Sequence, residues 1–414
     1  MRILIDVSSE ILYNVGDIAM IHVALARLGA LWPEARLELI LSRPDRLPRF
    51  FPQARGLSDQ GHLAFFHEGC LFGRFWRLAP GIEDRLRTRY LRQVAPLILV
   101  RKRRHGVDTE SIRAYIEAVC AADLVILGGG AWITDVFEYG ARFALDTLHI
   151  AQAQGKPTAL IEQGMEPIQS PKLRACLGAL LPRANLIALR ERRAGLPLLR
   201  SLGVPEDRIA VTGDDAIELA HAMRPPCLGD GIGINLRVAS YAGVEEALAE
   251  AVRPVLQAAA RRFDAPLLPA PIETSEQTSD AGAIRRLLAG WDDASDGGAA
   301  LQTPQAVIAQ IGRCRIVVTG SYHAAVFALA QGIPAVTLAR SAHYRHKFLG
   351  LADMFGIGCA VVSLEDARLP TTLSRAIEEA WCTAEAVRPR LLAAAERQIE
   401  AGQAAYQRFK QWVP

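Results

Sequence analysis

A histidine at the turn between a buried strand and a helix is well placed to move protons, and His323 stands at such a turn. The segment Arg315 to Lys347, RIVVTGSYHAAVFALAQGIPAVTLARSAHYRHK, reads as strand, tight turn, short helix, strand and basic loop. Arg315 to Val318 is the first strand, Ala324 to Ala330 the helix stopped by Gly332, and Ile333 to Leu338 the second strand. His323 therefore falls at the C-terminal edge of an expected parallel sheet, where open α/β folds bind ligands. No Asp or Glu occurs from Ile316 to Ala352, while Arg340, Arg345, Lys347 and three histidines do. A pocket built from these residues attracts an anion and offers His323 as acid or base near neutral pH.

Further candidates stand at other strand ends. Asn14-Val15-Gly16-Asp17 joins the first strand to a helix whose free N–H groups carry partial positive charge, with Asp17 as the expected N-cap. Gly128-Gly129-Gly130 follows a buried strand, with Asp135 five residues on. Three glycines in a row cost chain entropy, and close approach of a ligand or of another domain is the expected reason. Arg190 and Arg237 each close a strand, and guanidinium suits carboxylate or phosphate. The G-x-G-x-x-G fingerprint, the P-loop lysine and the G-x-S-x-G elbow are all missing. His343 and His346 have no nearby carboxylate and there is no D-x-D, so no metal site is expected.

Alternating strands and helices must position these residues. Ile3–Val7, Leu37–Leu41, Ala122–Leu127, Thr158–Glu162, Leu186–Leu189 and Ile209–Thr212 read as strands, with a helix from Ile18 to Leu31. The pattern predicts an α/β fold of two Rossmann-like domains, with parallel sheets facing a central cleft. The Pro- and Gly-containing break AMRPPCLGD, 222–230, sets the expected boundaries: 1–224 on the acceptor side, 225–370 on the donor side, and a helical segment 371–414 that could cross back. Residues 274–298 are polar and read as a mobile loop near the cleft. Residues 83–106 are strongly basic and read as a solvated helix and loop; the sharper reading is a patch for a membrane surface or a phosphate-rich acceptor.

The totals exclude several classes. A chain of 414 residues, half hydrophobic, with a formal net charge of +3, does not read as a nucleic-acid binder. Seven scattered cysteines without a C-x-x-C pair read as reduced thiols. The opening MRILIDVSS is a strand carrying an acid rather than a signal peptide, and no apolar run is long enough to span a bilayer. A cytoplasmic protein is expected, bacterial in type and able to work at the inner face of the membrane.

Taken in order, these motifs resemble the polysaccharide pyruvyl transferase family. The resemblance rests on Asn14-Val15-Gly16-Asp17, ADLVILGGG with Asp135, Gln163-Gly164 with Pro167, Arg190-Glu191, Asp214-Asp215-Ala216, Ser321-Tyr322-His323-Ala324, Gly332-Ile333-Pro334 and Tyr344-x-x-Lys347. It covers about residues 1–355. It implies a GT-B-like fold and a transferase of cell-envelope or exopolysaccharide biosynthesis. Phosphoenolpyruvate would be co-substrate and a sugar the acceptor, lipid-linked or nucleotide-linked, with a pyruvate ketal as product and no further cofactor. His323 would be the general acid/base. Arg190, Arg237, Ser321, Arg340, Tyr344, Arg345 and Lys347 would form the donor side. Asn14, Gly16, Asp17, Gly128, Gly129, Gly130, Asp135 and Gln163 would line the acceptor side. Where the family has an arginine two residues before the histidine, this chain has Ser321, which leaves three options: Arg340 or Arg345 substitutes, the donor differs, or activity has drifted. Two alternatives stand beside this reading: a GT-B glycosyltransferase using a nucleotide sugar, and a non-catalytic member with an altered donor site. Nothing in the sequence bears on oligomeric state.

Overall fold

The computed structural model describes all residues except 8–10, 67–70, 73–79, 245–246, 276–277 and 414. Cys70 lies outside the described residues; the other six cysteines are free.

Two parallel sheets organise the chain. The first has seven strands in the order β3-β2-β1-β4-β5-β6-β7. They are β1 (Arg2–Asp6), β2 (Arg36–Leu41), β3 (Arg55–Ser58), β4 (Leu124–Leu127), β5 (Thr158–Gln163), β6 (Leu186–Leu189) and β7 (Ile209–Val211). The second has five, in the order β12-β11-β10-β8-β9. They are β8 (Gly231–Asn235), β9 (Leu267–Pro269), β10 (Cys314–Thr319), β11 (Ala335–Ala339) and β12 (Cys359–Ser363). The central strands are buried on both faces, as near-continuous apolar runs such as LVIL and LIAL require. The arrangement is GT-B-like.

Three strands were not expected: β3, β9 and β12. β3, RGLS, is short and polar at a sheet edge, and β9 is three residues ending in proline; neither has enough alternation to announce itself.

Two expected loops contain helices, and an expected helix and loop is two helices. Residues after β11 form the helix Ala342–Phe355 rather than a basic loop, because Ser341 caps it by accepting from Tyr344 N at 3.3 Å. The polar stretch 274–298 contains the helix Asp280–Leu288, whose Ile284, Leu287 and Leu288 are buried. The basic stretch 83–106 falls on two helices, Pro80–Arg89 and Leu91–Arg104.

The first helix, Val15–Leu31, starts earlier than expected. Asn14 is its cap, accepting from Gly16 N at 2.9 Å and Asp17 N at 3.2 Å. This leaves Asp17 inside the first turn, where it lines the cleft.

The helix Leu369–Gln407 packs along the second sheet, then reaches the first. Its Ala405 and Tyr406, with Phe409 and Val413 beyond, belong to the core formed by β1, β2 and the first helix. Tyr406 donates to Asp215 at 2.8 Å, and Arg27 of the first helix reaches the same carboxylate at 2.5 Å.

Candidate functional site

A cleft of about 550 Å³ opens where the C-terminal ends of the two sheets meet. Asn14, Asp17, Gly128 to Gly130, Glu162 and Arg190 line it from the first sheet, and Arg237, Glu273, Ser321, His323, Tyr344 and Lys347 from the second.

The two sides are joined by the backbone. Val15 N donates to Ile272 O at 2.9 Å and Thr274 N to Tyr13 O at 3.0 Å. A Cβ built on Gly16 would sit 2.0 Å from His323 Cγ. Gly16 is therefore glycine because the imidazole lies directly against the helix start, a contact no sequence pattern reveals.

His323 is in the first turn of the helix Tyr322–Ala330 and is almost fully buried. Its Nε2 lies 3.6 Å from Asp214 Oδ2, too far for a hydrogen bond but close enough for strong attraction when the ring is charged. The same Asp214 oxygen is 3.6 Å from Arg190 Nη1. Burial opposes ionisation of Asp214, yet His323 and Arg190 outweigh it and hold the carboxyl below its usual range. Arg190 is inserted against Gly164, where a Cβ would meet its Nε at 2.4 Å, and its guanidinium stacks over Tyr322 at 4.2 Å. Its Nη2, like His323 Nε2, is buried without a hydrogen-bond partner among the described residues. Asp214 Oδ2, 3.6 Å from both His323 Nε2 and Arg190 Nη1, is likewise without a hydrogen-bond partner among the described residues, so this cluster is left incompletely satisfied where Arg190 and His323 line the cleft.

The helix Ala342–Phe355 brings His343, Tyr344 and Lys347 onto the cleft together. Lys347 Nζ rests 4.8 Å from the Tyr344 ring and 5.3 Å from that of Tyr322. Burial, then the neighbouring Arg190, push its pKa down from 10.5 to about 7. His343 touches the Glu166 carboxylate and Phe137.

Not every expected residue reaches the cleft in the expected way. Arg340 bonds Gly243 O at 2.7 Å, and Arg345 is half exposed near Glu365 at 3.8 Å; neither lines the cleft. Arg340 lies in the turn before the helix Ala342–Phe355, held by the Gly243 carbonyl, and Arg345 lies on that helix with its side chain half in solvent. Asp135 instead holds a turn, accepting from Gln169 N at 2.6 Å and Ser170 N at 3.0 Å. Gln163 is wholly buried, donating to Gly128 O at 2.9 Å and Ile161 O at 2.9 Å. Arg237 lines the cleft with much of its charge engaged: it is 3.0 Å from Asp280 and 3.7 Å from Glu273. The glycine run is explained largely by packing. A Cβ on Gly128 would strike Val7, one on Gly129 would strike Glu162, and one on Gly130 would strike Trp132.

Residues at the cleft or just behind it escaped sequence reading. Asp214 sat inside the quoted D-x-A element without a role. Glu162 was read only as a strand end. It holds a left-handed backbone, φ +55°, and its Oε1 is buried without a hydrogen-bond partner. Burial and the nearby Asp215 and Asp214 carboxylates push its pKa well above the usual carboxylate range. The available signal was an acid at the end of the apolar run TALIEQ. The acid-free character of 316–352 proved local, because the first sheet supplies Asp17, Glu162 and Asp214 across the gap.

Several solved structures are similar along nearly the whole chain, at identities that speak for fold alone. One is a putative UDP-N-acetylglucosamine 2-epimerase from Listeria monocytogenes, 14% identical over 99% of this chain and 96% of that one, with a TM-score of 0.56. Another is the UDP-GlcNAc 2-epimerase from Neisseria meningitidis bound to UDP-GlcNAc, 12% identical over 100% and 99%, TM-score 0.53. A third is the glycotransferase of kitacinnamycin, 12% identical over 100% and 99%, TM-score 0.51. No curated protein sequence matches the chain. The family model for polysaccharide pyruvyl transferase matches residues 14–342, from the capping asparagine to the start of the Tyr344–Lys347 helix, and the chain belongs to that family.

Proposed function

We propose that the protein transfers pyruvate from phosphoenolpyruvate to two hydroxyls of a sugar-containing acceptor, forming a ketal and releasing phosphate. The observation that carries this reading is the convergence of Arg190, His323 and Lys347 on one cleft, with Arg190 Nη2 and His323 Nε2 buried and without a hydrogen-bond partner among the described residues. A carboxylate-bearing phosphate ester needs cations on one side and a proton-moving group on the other.

The chemistry balances with these groups. Protonation of the donor's methylene carbon makes a methyl group and leaves a cationic centre at C2. One sugar hydroxyl adds there and gives up its proton, the C2–O bond to phosphate breaks, and a second hydroxyl closes the ketal and gives up its own. One hydroxyl proton replaces the one spent on the methylene carbon, and the other leaves with phosphate. His323 moves these protons. Asp214, whose carboxyl is held below its usual range, lies 3.6 Å from the ring. Arg190 and Lys347 bind the donor's charges, with Ser321 as a small polar neighbour. Asn14, Asp17 and Gly128 to Gly130 lie on the side left for the acceptor.

Thermal stabilisation of the protein by phosphoenolpyruvate, beside phosphate, UDP, GDP and UDP-sugars, tests the donor. A shift with phosphoenolpyruvate that Arg190→Ala abolishes is expected. His323→Ala should keep that shift and lose turnover by about 10²-fold or more. Near-normal turnover in a folded His323→Ala protein would remove the role given to this residue. A second reading, glycosyl transfer from a nucleotide sugar, is favoured by one observation: Glu273 puts into the second sheet's side of the cleft a carboxylate able to hold ribose hydroxyls. A shift with a nucleotide and none with phosphoenolpyruvate would select it.

A further inference from the structure

Apolar side chains left in water are concentrated on one part of the first domain. Eight large hydrophobic residues are exposed among the described residues, and four of them, Ile82, Tyr90, Leu97 and Val100, lie on or beside the helices Pro80–Arg89 and Leu91–Arg104. Leu97 is 61% exposed and Val100 52%, as open to water as surface charges usually are. The second helix buries Leu91, Ala95, Ile98 and Lys102 and turns Arg92, Pro96, Val100 and Arg103 outward. These four are spaced by four, four and three residues, one continuous outward stripe.

The charge around this stripe has one sign. From Arg85 to Val107 there are eight Arg or Lys and no Asp or Glu. The acids nearest in sequence are engaged: Glu83 accepts from the backbone of Leu71 and Phe72, Asp84 pairs with Arg87 at 3.2 Å, and Asp108 caps the helix Thr109–Ala121, accepting from Glu110 N at 2.9 Å. Between this helix and Thr109–Ala121 runs a trough of about 770 Å³, lined by Leu99, Val100 and Ile116 and bordered by Arg92, Arg103 and Arg113, with Glu117 as its acid. It reaches Arg2 at the N-terminal end of β1, so it is separate from the cleft at the strands' other ends. A second copy docking here would bring like charges face to face.

We propose that this face docks on an anionic lipid bilayer, with Arg92, Arg103 and their neighbours on the headgroups and Leu97 and Val100 entering the interface. Among the described residues no helix is long and apolar enough to cross a membrane, so the contact is peripheral. Basic residues supply the attraction at the surface and the exposed apolar side chains supply the depth. The proposal does not depend on the identity of the donor in the cleft.

The test is co-sedimentation of the full chain with vesicles of phosphatidylcholine, with and without phosphatidylglycerol, at low and high salt. Binding only to the phosphatidylglycerol vesicles, weakened by salt, is expected. Leu97→Glu/Val100→Glu and, separately, Arg92→Glu/Arg103→Glu should each weaken binding about tenfold or more. The thermal midpoint of each variant, and its shift with phosphoenolpyruvate or nucleotide, should match the parent, which separates this face from the cleft. Failure to bind either vesicle, equal binding to both, or parental binding by both double variants would overturn the proposal. Self-association that depends on Leu97 and Val100 without any vesicle would overturn it in favour of a second copy.

Discussion

Lys347 shows how the cleft couples charge to ligand. Its folded pKa of about 7 lies below the ordinary 10.5, so between these values the unfolded chain binds more protons and the stability of the free protein rises with pH. A bound anion favours the charged form, and binding therefore draws a proton onto the amine. Phosphoenolpyruvate affinity should fall as pH rises from about 7 to about 9, by up to about tenfold per unit, and this slope should vanish in Lys347→Met. Calorimetry in buffers of different ionisation heat reads the proton directly. His323, Arg190, Arg237 and Lys347 were legible as candidates because each stands at a strand end or in a basic, acid-free run. Asp214 and Glu162 were not, because their importance comes from distance to residues of other strands. Arg340 and Arg345 were over-read as cleft residues: charge in the sequence says nothing about which way a side chain leaves a turn or a helix.

At the scale of elements, the decisive contact is the start of the helix Val15–Leu31 against the start of the helix Tyr322–Ala330. Asn14 caps the first, and Gly16 leaves room for the imidazole on the second. Gly16→Ala puts a methyl group where His323 now sits. It should lower turnover by about 10²-fold through misplacement of the ring. The stability loss should be about 1–3 kcal/mol, the usual cost of overpacking. Turnover and denaturation midpoint measured on the same preparation separate the two effects. An unchanged turnover would mean that His323 tolerates displacement and that the contact is packing alone. The strands and main helices of this region were readable from apolar runs and turn residues. The two helices Ala342–Phe355 and Asp280–Leu288 were read as loops, since polar and basic composition masked an apolar face of only a few residues.

For the whole molecule, the C-terminal helix ties the second sheet to the first. Arg27, Asp215 and Tyr406 meet in a buried cluster with Glu218 at its edge. Removing the cation alone leaves a buried carboxylate uncompensated, so Arg27→Ala should cost about 3–5 kcal/mol, seen in the denaturation midpoint. Arg27→Met/Asp215→Asn should cost less than the sum of its single changes, a coupling a double-mutant cycle measures.

The sequence by itself determined the alternation of strand and helix, the family and the histidine at the strand-to-helix turn, because periodicity and local motifs are properties of neighbouring residues. Only the tertiary structure decided that Gly16 meets His323, that Asp214 stands beside both His323 and Arg190, and that the outward stripe of Leu91–Arg104 is uncovered among the described residues. Each of these depends on which distant segments the closing of two sheets brings within a few ångströms, and chain order does not encode that distance.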